Sequence, residues 1–112
     1  MDPDRARELL ANERARIERA LRRIDAQGPL EGSDRIEPGD EDSEDLYLDE
    51  LDEGRREQLQ SDLAALERAE ARLAAGKYGL SVQSGQPIPD GRLEALPTAE
   101  RTVEEEEQFR RR

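Results

Sequence analysis

The chain has 112 residues, of which 42% are charged, 33% hydrophobic and only 3% aromatic, with a net charge of −11 at pH 7. So little apolar surface excludes a thick globular core but is enough for a narrow seam between helices. An acidic surface without a basic, aromatic-studded stripe excludes direct DNA binding, because phosphates repel it. Such a surface suits a basic protein partner, or a metal ion held by one. With no Cys and no His, the chain offers no thiolate or imidazole for disulfides, soft metals or nucleophilic catalysis. Intrinsic disorder shares this composition, but the apolar residues here are periodic rather than scattered. Behind the opening Met1-Asp2-Pro3-Asp4 there is no apolar run, so neither a signal peptide nor a membrane span is expected, and the cytoplasm is the expected location.

The first predicted helix covers Pro3 to Ala26. Asp2 is a good N-cap and Pro3 suits the first helical position. Ala6, Leu10, Ile17, Leu21 and Ile24 then share one face at spacings of three, four and seven. Gly28-Pro29 ends the helix, and glycines and prolines punctuate residues 28–40 as a loop. A second helix starts near Asp42 or Ser43 and runs to about Ala75, where Gly76 closes it. Its apolar face is Tyr47, Leu51, Leu59, Leu63, Leu66 and Leu73, with Ala69 alongside; Gly54 marks a weak point. Two helices with facing seams form an antiparallel hairpin, spanning residues 1–76 with a tip loop at about 27–43.

Residues 77–112 change character. Gly79, Gly85, Pro87, Pro89, Gly91 and Pro97 forbid long helices. Leu80, Val82, Ile88, Leu93 and Leu96 are spaced for one or two short strands and turns, and with Val103 they are the expected core of this knob. A final helix is expected from Thr98, as its N-cap, through Glu107. Phe109 and Arg110-Arg111-Arg112 follow it, the arginines suiting a helix C-terminus.

The segment from Tyr78 to Glu105 has the order and spacing of a zinc finger without its cysteines. Tyr78-Gly79, Gly85, Ile88-Pro89, Arg92-Leu93-Glu94-Ala95 and Pro97-Thr98-Ala99 resemble the DksA/TraR family of RNA polymerase-binding factors. In that family a Cys-x-x-Cys-Gly pair precedes a second Cys-x-x-Cys. The four cysteine positions fall here on Ser81, Ser84, Thr102 and Glu105, with seventeen residues between the middle two. Structural zinc takes thiolate or imidazole, and a serine hydroxyl stays protonated near neutral pH. The resemblance thus implies the family's scaffold with no metal and no cofactor. Small polar side chains hydrogen-bonding across the vacated site are one way to hold such a knob; a loose knob is the other.

From Asp40 to Glu53, nine of fourteen residues are Asp or Glu and none is basic. A solvated face is the plain explanation. The resemblance implies a sharper one, since DksA-like factors carry an Asp-x-x-Asp motif at the coiled-coil tip that reaches the polymerase active site through the secondary channel. Glu37-Pro38-Gly39-Asp40 resembles that motif, and Asp42 with Asp45 is an equally spaced competitor. An EF-hand at Asp40-x-Asp42 fails, because Asp45 stands where the loop needs glycine. No nucleotide-binding glycine loop or catalytic triad is visible, so an enzyme is not expected.

The expected fold is mainly α: an antiparallel two-helix coiled-coil hairpin, then a small zinc-finger-like knob of short strands and turns, and a C-terminal helix. The function implied by the resemblance is transcription regulation by binding RNA polymerase directly, with Glu37, Asp40, Asp42 and Asp45 as tip acids. Whether guanosine tetraphosphate acts at the complex stays open. The alternative is a zinc-free helical interaction module or decoy that has lost polymerase regulation.

Overall fold

The computed structural model describes the backbone of residues 1–26 and 43–111 and the side chains of residues 1–26 and 53–111. Four helices follow one another: α1 (Pro3–Ala26), α2 (Ser43–Ala74), α3 (Asp90–Ala95) and α4 (Val103–Arg110). The chain forms two compact units, Met1–Arg14 with Ala64–Arg112, and Ala15–Leu63. The two long helices contribute to both.

In the unit of residues 15–63, Ile17 and Ile24 of α1 and Leu59 of α2 are buried. Each such side chain stabilises by roughly 1.5–3 kcal/mol when fully removed from water. Arg16 lies 3.8 Å from Asp62 and Arg56 pairs with Asp25, a register that makes the two helices antiparallel. Exposed ion pairs of this kind add little energy; the apolar stripe decides. α2 runs through Gly54 without a break, and a Cβ there would touch nothing within 4 Å.

In the other unit, Asp2 caps α1: its Oδ2 accepts the Arg5 N–H at 3.1 Å. Ala6, Leu9 and Leu10 of α1 and Leu66 and Ala69 of α2 are buried, and Arg14 grips Glu70 through two nitrogens, at 3.1 and 2.8 Å. α2 ends on Gly76 at φ +76°. Lys77 N–H donates to Arg72 O at 2.8 Å and Gly76 N–H to Leu73 O at 3.1 Å, the paired bonds of a Schellman motif that needs the left-handed residue.

The knob departs from expectation in three respects. Among the described residues its only β pairing is an isolated antiparallel bridge between Leu80 and Pro87, and the short strands are replaced by turns and by α3. The last helix begins at Val103, not Thr98, with Thr102 as its N-cap. The core is smaller than expected: Ile88, Leu93 and Ala99, with Met1 and Tyr78 packed against them. Leu80, Val82, Leu96 and Val103 are exposed instead. With Leu93 fully buried, this cluster holds α3 in place even though the helix is only six residues long and contains Gly91.

Candidate functional site

The four positions where the related pattern has cysteines come together in this structure, and they form a hydrogen-bond network. Ser81 is buried, at 4% exposure. Its Oγ accepts the N–H groups of Gln83 at 3.0 Å and Ser84 at 3.2 Å, while Gly85 N–H donates to Ser81 O at 2.9 Å. Gly85, at φ +79°, allows the chain to turn back. The Oγ of Ser84 in turn accepts the Gln86 N–H at 3.2 Å. Each hydroxyl oxygen is thus occupied as an acceptor, which leaves its single O–H to donate.

The Ser81 and Ser84 hydroxyls lie near enough to Glu105 to act on its carboxyl. Hydrogen bonds from the Ser81 hydroxyl, the Ser84 hydroxyl and the Thr102 N–H hold its carboxyl down at about 2, against an ordinary 4.5. Thr102 and Glu105 also form a capping box on α4. The Thr102 N–H donates to Glu105 Oε1 at 3.0 Å, and the Glu105 N–H donates to Thr102 Oγ1 at 3.2 Å. Thr-x-x-Glu has the same spacing as Cys-x-x-Cys, so the substitution that loses two ligands supplies a helix cap. A carboxylate with neutral donors around it thus stands at one of the positions where the related pattern has a thiolate. Three hydroxyl-bearing or amide donors already committed to one carboxylate do not fit zinc. Among the described residues, no three His, Cys, Asp or Glu side chains are placed to hold a metal ion.

Further polar contacts brace the knob. Tyr78 O–H donates to Pro97 O at 2.7 Å, and burial pushes this phenol's pKa up. Arg92 Nε donates to Arg101 O at 2.9 Å, and Val82 N–H donates to Glu100 O at 2.9 Å. Burial raises the Glu100 pKa, but the Arg68 hydrogen bond and the charges of Arg68, Arg72 and Arg101 outweigh it and hold the carboxyl below the usual range. Arg68 and Arg72 reach it at 2.8 and 3.2 Å. Arg5 clamps Glu94 through two nitrogens, at 2.8 and 2.6 Å, and lowers that carboxyl as well. Sequence reasoning singled out none of these arginine–glutamate pairs, because charges three or four apart are everywhere in this chain and the pairs that matter join distant segments.

The tip acids are a different matter. Glu37, Asp40 and Asp42 lie outside the described residues, and Asp45 lies in α2 with its side chain outside them.

No protein-family model matches the chain, and none of the curated proteins matches it. Among solved structures, the transcription factor DksA2 from Pseudomonas aeruginosa is similar, with a TM-score of 0.64. The match covers 97% of this chain and 80% of that one at 24% identity. The helices and the knob described above therefore have a DksA-like fold.

Proposed function

We propose that the chain regulates transcription by binding RNA polymerase directly rather than DNA. The observation that carries this reading is the DksA2-like fold over 97% of the chain, joined to a finger-like knob kept in shape without cysteines. A fold retained after loss of its metal ligands points to a surface still in use. On this reading the helical hairpin enters the polymerase secondary channel, and the tip acids act near the active site. Glu37 with Asp40, or Asp42 with Asp45, supplies carboxylates able to engage a Mg²⁺ held partly by polymerase, while the helices and knob supply affinity. The net charge of −11 supports a protein partner over a nucleic acid.

The test combines core RNA polymerase with the full chain and follows both affinity and open-complex lifetime. Two double variants, Glu37→Ala with Asp40→Ala and Asp42→Ala with Asp45→Ala, separate binding from action. Loss of the lifetime effect in one pair, with binding kept, locates the working tip. Loss in neither removes the channel mechanism. Absence of binding by the unaltered chain favours the interaction-module reading.

A further inference from the structure

The knob carries a groove that the hydrogen-bond network does not use. Arg92 of α3, Leu96, Thr98 and Arg101 of the connection, and Phe109 and Arg110 of α4 line an open depression of about 280 Å³. The Arg101 guanidinium lies 3.8 Å from the centre of the Phe109 ring, a cation–π contact that fixes both side chains at the groove wall. Leu96 and Phe109 are 43% and 47% exposed, although apolar side chains of this size gain by burial.

Charge at the groove runs against the chain as a whole. Three guanidinium groups face it with two carboxylates, Glu100 and Glu106. Glu100 is already held by Arg68 and Arg72, and Glu106 is shared between Arg101 at 3.5 Å and Arg110 at 3.1 Å. Arg92 has no carboxylate partner among the described residues, and Arg101 Nε is buried with no hydrogen-bond partner. A chain of net charge −11 thus sets three guanidinium groups against two carboxylates beside its exposed apolar side chains.

We propose that this groove is a docking site for an acidic segment of a partner protein, in which an apolar anchor packs on Leu96 and Phe109 while flanking carboxylates pair with Arg92, Arg101 and Arg110. The volume favours that occupant. Small-molecule sites enclose roughly 300–1,000 Å³, so an open depression of about 280 Å³, below that range, suits one or two inserted side chains. Planar guanidinium forks match carboxylates, and aromatic and arginine side chains are the usual anchors of protein interfaces. The partner is RNA polymerase if the function proposed above holds, and the groove asks for the same kind of segment if it does not.

The test uses the full chain carrying Phe109→Ala or Arg110→Glu, with Lys77→Glu as a charge-change control on the exposed turn after α2. Against core RNA polymerase, the two groove variants should weaken binding by about tenfold or more, while the control stays within about twofold of the unaltered chain. Equal binding by all of them overturns the groove assignment and leaves the polymerase reading standing. In parallel, NMR follows the arginine Nε–H signals during titration with a synthetic peptide of Glu-Leu-Glu-Tyr-Leu-Glu repeats. Shifts at Arg92 and Arg101 that vanish in Phe109→Ala support the groove even where polymerase does not bind. No shifts with peptide, or shifts with pyrophosphate alone, overturn it.

Discussion

The paired helices of residues 15–63 and the knob of residues 78–111 solve the same problem by different physics. In the helices, order follows from repetition: Ile17, Ile24 and Leu59 bury a stripe, and the surface ion pairs add little energy. Among its described residues the knob buries only three apolar side chains of its own, Ile88, Leu93 and Ala99. It depends also on particular hydrogen bonds at Ser81, Ser84, Thr102 and Glu105. Where burial is thin, polar side chains decide the structure, because a buried N–H without a partner costs more than a made bond contributes.

The comparison can be broken most strongly at Leu93. Leu93→Ala removes the one fully buried large side chain of the knob and should cost about 2–4 kcal/mol, as should Ile17→Ala in the helices. Denaturant unfolding checks both; a cost near zero for Leu93→Ala would mean that the apolar cluster is not what holds α3. A sharper contrast lies between two serines. Ser81→Ala leaves the Gln83 and Ser84 N–H groups without their acceptor and should cost about 1–3 kcal/mol. Ser61→Ala, on an exposed turn of α2, should stay within about 0.5 kcal/mol. Equal costs would erase the distinction between the two regions.

The smallest effect is one of pH. The Glu105 carboxyl is lower in the folded chain than in the unfolded one, so its contribution to stability is complete above about 4.5 and is lost as pH falls toward about 2. Glu94 and Glu100 are shifted in the same direction, so acid unfolding alone does not isolate it. The difference between the unaltered chain and Glu105→Gln does: the variant should be less stable at pH 7, with the gap closing below about pH 4. A gap independent of pH would show that the carboxylate charge plays no part.

The sequence made the helices legible and the knob only half so. Asp2 before Pro3, the stripe from Ala6 to Ile24 and the glycine at position 76 mark helix boundaries through local chemistry, and the structure has α1 at Pro3–Ala26 and α2 ending at Ala74. In the knob, the resemblance brought Ser81, Ser84, Thr102 and Glu105 to attention as lost ligands. The same residues form a Thr-x-x-Glu capping box, which starts the final helix four residues later than a cap at Thr98 would. α3 escaped because Gly91 and Pro89 argue locally against a helix, and only the burial of Leu93 shows why one forms. Nor does apolar character alone say which of Leu80, Val82, Leu93 and Leu96 is buried. Three or four residues per turn leave no stripe to count, and three of the four are exposed.

Hydroxyls and a carboxylate stand in the knob where the related pattern has metal ligands. Amide hydrogen exchange on the full chain, with and without excess EDTA and with zinc content measured on the same sample, tests this directly. The predicted result is less than stoichiometric zinc and unchanged protection of the Gln83, Ser84, Gln86, Thr102 and Glu105 amides in chelator. About one zinc per chain, or protection at those five amides that collapses in EDTA, would contradict it.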